Sequence, residues 1–197
     1  MIRKSSEIRQ KEIKSAVLTI IHREGLKRVS TKNIAKEIGL SEGSIFRHFD
    51  SKKDIILSIM DDVIHDLIGN LKAISLETIP PEKRLFKYLC QTITYLIEHK
   101  GITILLFSEA SYENDKDLIT KLNYIFKNQK LYVGNIVLDG IRHANWDETI
   151  AIKDFVSLYM GIPITLNIEM VLNRENFQPL NFCNRMFELI LKILVRK

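Results

Sequence analysis

The stretch Thr31–Phe49, Thr-Lys-Asn-Ile-Ala-Lys-Glu-Ile-Gly-Leu-Ser-Glu-Gly-Ser-Ile-Phe-Arg-His-Phe, limits what this chain can fold into more than any other. It reads as two short helices across a tight turn. The first is predicted over Lys32–Ile38, with Ser30 or Thr31 as its N-cap. Gly39 follows, where the chain needs a left-handed backbone that only glycine adopts cheaply. Ser41 offers a second N-cap, and the second helix is predicted from Glu42 to about Phe49. Ile34, Ile38, Leu40 and Ile45 are spaced to close a small core between the helices. Ala35 is small where they must approach. This is the pattern of a helix-turn-helix, whose second helix enters the DNA major groove.

The longer run Ile-Ala-x-x-x-Gly-Leu-Ser-x-Gly-Ser-Ile-Phe-x-His-Phe-x-Ser-Lys-x-x-Ile, residues 34–55, resembles the DNA-binding segment of TetR-type transcriptional regulators. The block Phe46-Arg47-His48-Phe49 followed by Ser51-Lys52 makes the likeness specific. With the preceding helix it covers roughly residues 8–57; the rest of the chain matches only in length and helical character. The resemblance implies an all-α fold: a three-helix DNA-binding domain over 1–52 and a helical ligand-binding and dimerisation domain over 53–197, about nine helices in all. It also implies a dimeric regulator that responds to a ligand, without saying which.

Charge agrees with that division. Residues 1–54 hold 13 Lys/Arg against 7 Asp/Glu, whereas residues 55–197 hold 16 against 17. A basic N-terminal quarter on a near-neutral body is the footprint of a nucleic-acid module joined to a globular domain. A hydrophobic content of 46% supports a full core. Met1–Ser6 is polar and no apolar run is long enough to span a bilayer, so the expected setting is the cytoplasm, with no membrane partner. Cys90 and Cys183 lack metal-ligand spacing and fall on apolar helical stripes, which predicts two buried thiols rather than a disulfide. No metal and no cofactor is expected. There is no nucleophile-base context, phosphate-binding glycine loop or paired histidine motif, so the chain does not read as an enzyme.

Along the chain, Ser5 or Ser6 caps a first helix with Ile13, Ala16, Val17 and Ile20 on one face, ending at Gly25. Its outer residues Arg3, Lys4, Arg9 and Lys11 are basic, and either touch phosphates or are simply solvated. Ser51 and Asp54 form a capping-box variant that opens a helix of about 20 residues, some 30 Å long. Further helices are predicted from Pro81 to Lys100, over 102–110, over Lys116–Arg142, from an Asn145/Glu148 capping box across Phe155 and Tyr159, and over Pro179–Val195. Pro163 is expected to kink its helix.

The resemblance places Glu42, Gly43, Ser44 and Arg47 against DNA. Arg47 has the fork to pair with guanine O6 and N7, and Glu42 can accept from cytosine N4. Glu42 also reads as a favourable charge at a helix start, and the two readings stand side by side. Members of the family often carry Tyr where Phe46 stands; lacking the hydroxyl, Phe46 is expected to pack near the sugar-phosphate backbone. Thr31, His48 and Lys52 match positions that touch phosphate, and Lys32 reaches the backbone or a base edge. His48 also reads as a capping or core histidine.

Polar residues on apolar stripes are the best sequence clue to a cavity, since they need partners. Phe86, Thr92, Phe107, Phe126, Gln129 and Tyr159 are the candidate ligand contacts, although aromatic stripes are more often plain core. Few charges fall on inner faces, so the expected effector is a largely apolar small molecule, its polar end held by Gln129. The last helix carries two stripes, Leu180/Cys183/Phe187/Ile190/Leu194 and Phe182/Met186/Leu189/Ile193. The second implies a homodimer interface built from Phe182, Met186, Phe187, Leu189, Ile190 and Ile193, unless both sit within one protomer. The full expectation is a dimeric repressor on a palindromic operator in double-stranded DNA, released by that effector. The alternative is a DNA-tethered protein-interaction module with no small-molecule site.

Overall fold

The computed structural model describes residues 5–100, 102, 105, 107, 115–144, 146–172 and 179–195. Regular structure among them is helical: α1 (Ser6–Glu24), α2 (Thr31–Glu37), α3 (Glu42–Ile45), α4 (Lys52–Asp62), α5 (Gly69–Ser75), α6 (Pro81–Glu98), α7 (Lys116–His143), α8 (Ile152–Leu172) and α9 (Pro179–Leu194). A short 3-10 turn, Leu26–Arg28, follows α1. The helix expected over 102–110 lies outside the described residues except at Ile102, Leu105 and Phe107, of which the first two are buried. No helix among the described residues is long and apolar enough to cross a membrane.

The chain divides into two compact units, residues 1–63 with 99–122 and residues 64–98 with 123–197. In the first, α1 packs on α2 and α4, and α2 on α3. Ile13, Ile34, Ile45 and Ile55 are fully buried there. Local signals act as the sequence predicts at most helix ends. Ser5 Oγ accepts from Ile8 N, and Ser30 Oγ accepts from Asn33 N. Ser51 Oγ accepts from Asp54 N at 3.1 Å and donates to Asp54 Oδ2 at 2.8 Å, closing the capping box. Gly39 takes φ +66°, and Leu40 N then donates to Ala35 O at 2.8 Å. That left-handed residue satisfies the last carbonyls of α2 and turns the chain into α3.

A bidentate ion pair adds a lateral tie. Arg23 at the end of α1 donates Nη1 and Nη2 to the two Glu37 carboxylate oxygens at 3.0 and 2.7 Å. Hydrogen bonding from Arg23 holds the Glu37 carboxyl below its usual range. Both groups are solvent-exposed, so the pair orients α1 against α2 more than it stabilises them. On the far side of this unit Lys53 bridges Asp115 and Asp117. Asp115 Oδ1 also accepts from the backbone of Asp117 and Leu118, capping α7.

Three expectations need correction. The recognition helix is short: regular α-helix stops at Ile45, and residues 46–48 continue as turns, with Phe49 N still donating to Ile45 O at 3.1 Å. Ser41 makes no side-chain cap; its Oγ pairs with Ser44 Oγ at 2.8 Å instead. The helix after Ser51 is not one α-helix, since Val63–Ile68 winds as π-helix between α4 and α5.

In the second unit α6 packs against α5, α8 and α9. Its buried row is Arg84, Leu85, Tyr88, Leu89, Thr92, Ile93, Tyr95 and Leu96. Pro81 starts the helix, where its missing N–H costs nothing. Arg84 is the buried charge of this unit: Nη1 donates to Ser75 O at 2.8 Å and Nη2 to Asp139 Oδ2 at 2.7 Å. A guanidinium taken from water needs such partners, and here they join the end of α5 to α7.

The capping box expected at Asn145 and Glu148 does not open α8, which begins at Ile152. Asn145 lies outside the described residues. Asp147 Oδ1 instead accepts from Thr149 N and Oγ1, and Asp147 N donates to Leu194 O at 2.9 Å. This loop is therefore laid along the end of α9, where Trp146 and Val195 form an isolated β-bridge. Helix α8 runs through Pro163, which is buried within it.

Gly140 has a packing role that no helical pattern reveals. A Cβ placed there would stand 1.9 Å from Trp146 Cε3, so the indole lies directly on the bare backbone of α7. Trp146 is buried, and its backbone N–H and that of Ala144 both donate to Gly140 O. Gly140→Ala should lower stability by about 1–3 kcal/mol, the usual cost of overpacking a filled core. Urea unfolding followed by fluorescence of the single tryptophan measures this directly. An unchanged midpoint would mean that the indole does not rest on α7.

Candidate nucleic-acid interface

Burial of Ile34 and Ile45 sets which side of α2 and α3 looks outward. Arg47 is exposed, one turn beyond Gly43, and so is Lys32 at the start of α2. No other described residue engages either side chain by a hydrogen bond or ion pair. Phe46 is 49% exposed, an unusual place for a phenyl ring that has no outside contact. Glu42 and Gly43 are exposed, and Ser44 is half-buried with its hydroxyl turned to Ser41.

Two of the phosphate candidates are tied to neighbours that spacing arguments miss. The Thr31 hydroxyl donates to Glu42 Oε1, joining the first residue of α2 to the first of α3. One carboxylate oxygen of Glu42 is thereby engaged within the protomer. His48 Nδ1 pairs with Ser6 Oγ at 3.0 Å, and Gln10 Nε2 donates to His48 O at 3.3 Å. The imidazole is thus anchored through Nδ1 to the start of α1. These partners lie 42 and 38 residues away along the chain, beyond the reach of any helical periodicity. Lys52, half-buried, is the first residue of α4.

Gly43 is informative by what surrounds it. An added Cβ would meet nothing within 4 Å, and the residue keeps helical backbone angles. Nothing inside the protomer requires glycine at this place, whereas a closely approaching duplex backbone would.

The six candidate ligand residues do not all fall together. Phe107, 36% exposed, belongs to the first unit, and the other five to the second. Tyr159 is fully buried with its hydroxyl donating to Leu85 O at 2.7 Å; burial pushes its phenol pKa up. Tyr88 meets it edge-on at 6.3 Å and donates to Gln129 O at 3.2 Å. The Thr92 hydroxyl is spent on Tyr88 O at 2.9 Å. Phe86 packs its ring on Phe187 at 4.9 Å, and Phe126 is half-buried. Gln129 is buried, yet no described residue hydrogen-bonds its side-chain amide.

On α9, Phe182, Phe187 and Ile190 are buried within the protomer and Met186 is half-buried. Leu189 and Ile193 stand outside, 51% and 47% exposed. The two stripes therefore divide: most of the first faces α6, and the lower end of the second faces solvent.

Two substitutions probe the outward face. Gly43→Ala should leave the fold intact or stabilise it by about 0.5–1 kcal/mol, as removing a helical glycine does. On duplex DNA it should cost about 1–3 kcal/mol through steric conflict. Arg47→Ala should cost a similar amount on the specific site and relax preference at one base pair per half-site. Fluorescence anisotropy on matched and single-substituted duplexes reads both. Wild-type affinity in Gly43→Ala would place the duplex elsewhere, and uniform weakening in Arg47→Ala would make it a phosphate contact.

Comparison with known proteins agrees with this geometry. Residues 14–59 match the family described as bacterial regulatory proteins, tetR family. Among curated proteins, the chain is 25% identical over 138 residues to the nucleoid occlusion factor SlmA of Actinobacillus pleuropneumoniae serotype 5b, covering 70% of this chain and 68% of SlmA. Among solved structures, the TetR-family transcriptional regulator PfmR of Thermus thermophilus superposes with a TM-score of 0.77 at 16% identity, over 100% of both chains. The transcriptional regulator FadR of Bacillus subtilis, solved with stearoyl-CoA, gives 0.74 at 19% identity, over 93% of this chain and 98% of that one. Residues 14–59 thus carry a tetR-type DNA-binding segment, and the all-helical fold of the chain is that of solved TetR-family proteins.

Proposed function

We propose that the chain is a homodimeric repressor that holds a palindromic operator in double-stranded DNA and lets go when a largely apolar small molecule enters its helical domain. The observation that carries the DNA half is the outward, unengaged Arg47 beside a glycine that nothing in the protomer requires. On this reading residues 1–52 are the DNA-binding domain. Arg47, Glu42 and Ser44 face base edges, while Lys32, His48, Lys52 and Thr31 hold phosphates and Phe46 covers the sugar-phosphate edge. Two such segments related by a two-fold axis read successive major grooves one helical turn apart.

Dimerisation is supported by the apolar surface left on α8 and α9. Both helices pack on α6. Leu158, Ile168 and Leu172 of α8 and Leu189 and Ile193 of α9 remain exposed. A second copy presenting the same rows would cover them, and two-fold pairing of identical surfaces is the commonest way to do so. Leu189→Glu with Ile193→Glu should give a folded monomer in sedimentation velocity. Phe187→Glu and Ile190→Glu should instead unfold the protomer, because those side chains lie in its own core. A dimer that survives the Leu189/Ile193 pair would place the interface elsewhere.

For the effector, the support is Gln129, a buried residue whose side chain no described residue hydrogen-bonds and whose backbone carbonyl accepts from Tyr88. An amide donates and accepts, so it suits a carbonyl on an otherwise apolar molecule. FadR of Bacillus subtilis, similar in fold, was solved with stearoyl-CoA, which joins an apolar acyl chain through a carbonyl to an anionic coenzyme A part. A long-chain acyl compound should raise the melting temperature of the wild type by mass action, and less so in Gln129→Leu. Equal responses would clear Gln129 of the role.

A second reading has its own support. SlmA is named for nucleoid occlusion, and the likeness to it spans 138 residues, well beyond the helix-turn-helix. In that reading the helical domain holds a protein partner while the chain sits on DNA, and no small molecule shifts its melting. A screen of acyl and aromatic compounds without effect on either melting or operator release favours it.

A further inference from the structure

Cys90 on α6 and Cys183 on α9 are joined as a disulfide, against the sequence expectation of two separate thiols. They lie 93 residues apart in the chain and 5.8 Å apart between Cα atoms. Four residues before Cys90, the Phe86 ring packs on that of Phe187, four residues after Cys183. The two pairs run in opposite order along their helices, so α6 and α9 are antiparallel here in a fixed register. Packing of the aromatic pair and of Leu85, Leu89, Phe182 and Ile190, all buried, keeps the sulfurs facing each other whether or not they are bonded. Cys183 is buried, whereas Cys90 is half-buried and so open to a small reagent.

We propose that Cys90 and Cys183 form a reversible oxidation site, a thiol–disulfide pair that clamps α9 to α6. The idea rests on the DNA-binding reading in one respect. A regulator on chromosomal DNA works where thiols are kept reduced, and a disulfide there is transient rather than a permanent staple. The oxidant is hydrogen peroxide. The Cys90 thiolate attacks one peroxide oxygen, the O–O bond breaks, an S–O bond forms, and water leaves after taking a proton. The Cys183 thiolate then attacks that sulfur, forming S–S and breaking S–O, and the second oxygen leaves as water. A dithiol or two molecules of glutathione return the two electrons through a mixed disulfide. The clamp acts on the inner face of the helix whose outer face carries Leu189 and Ile193.

The test uses the full chain and no DNA. Protein is reduced with millimolar glutathione, exposed to hydrogen peroxide, and reduced again. At each stage it is quenched with acid, alkylated with N-ethylmaleimide and weighed intact. The expected sequence is two alkyl groups, none, then two again, with the helical circular dichroism retained throughout. The melting temperature of the oxidised form should exceed that of the reduced form by roughly 5–15 °C, because the bond closes a long loop in the unfolded chain. C90S and C183S should lose that difference between oxidised and reduced samples, whatever their own starting stability. A bond that persists in glutathione while the protein stays folded is a permanent staple and overturns the switch. So do thiols that remain alkylatable after peroxide, or a melting difference that survives in C90S. Failure to bind any operator would sink the DNA-binding reading while leaving these readouts unaffected.

Discussion

The burial of Ile34 and Ile45 in the core of the first unit is the constraint on which the functional face depends. Helix α3 has only four residues in regular helix, too few to be stable alone. It exists because Ile45 is fully buried and because Phe49, also buried, closes the turn after it. Once those two side chains are committed inward, Gly43, Phe46 and Arg47 have no choice but to point away. Gly39 makes the geometry possible, since φ of +66° lets α3 fold back on α2 within a few residues. The Arg23–Glu37 pair then steadies α1 against α2 at the rim. A recognition surface is thus made by an apolar core, with polar contacts trimming its edges.

The second unit is organised differently. Helix α6 is its hub, and most of the polar groups buried on and around it are spent on backbone carbonyls or on a carboxylate, while Arg84 Nε has no hydrogen-bond partner among the described residues. Tyr159 donates to Leu85 O, Thr92 to Tyr88 O, and Arg84 to Ser75 O and Asp139. Each such bond offsets the cost of taking a polar group out of water, so most of these residues are structural. Gln129, which its stripe position also singles out in the sequence, is buried, and no described residue hydrogen-bonds its side chain.

Two further details bear on assembly. The stripes of α9 share one helix but not one role, because α6 covers the Cys183–Phe187–Ile190 side and leaves Leu189 and Ile193 outside. The π-helical stretch Val63–Ile68 begins at the last residue of the first unit.

The sequence by itself determined what depends on near neighbours: the helix-turn-helix, the cap at Ser51, the caps of α1 and α2 to within one residue, the left-handed Gly39, the basic N-terminal quarter and the all-helical class. These follow from hydrogen bonds, dihedral limits and periodicities that act within a few residues. Tertiary structure decided the rest. It joined Cys90 to Cys183, laid Trp146 on Gly140, tied His48 to Ser6, moved the start of α8 to Ile152, and chose which stripe of α9 turns inward. The reason is that helical periodicity shows which side chains share a face, but not which distant helix that face will meet. Only the packed chain brings residues 93 apart to within 5.8 Å.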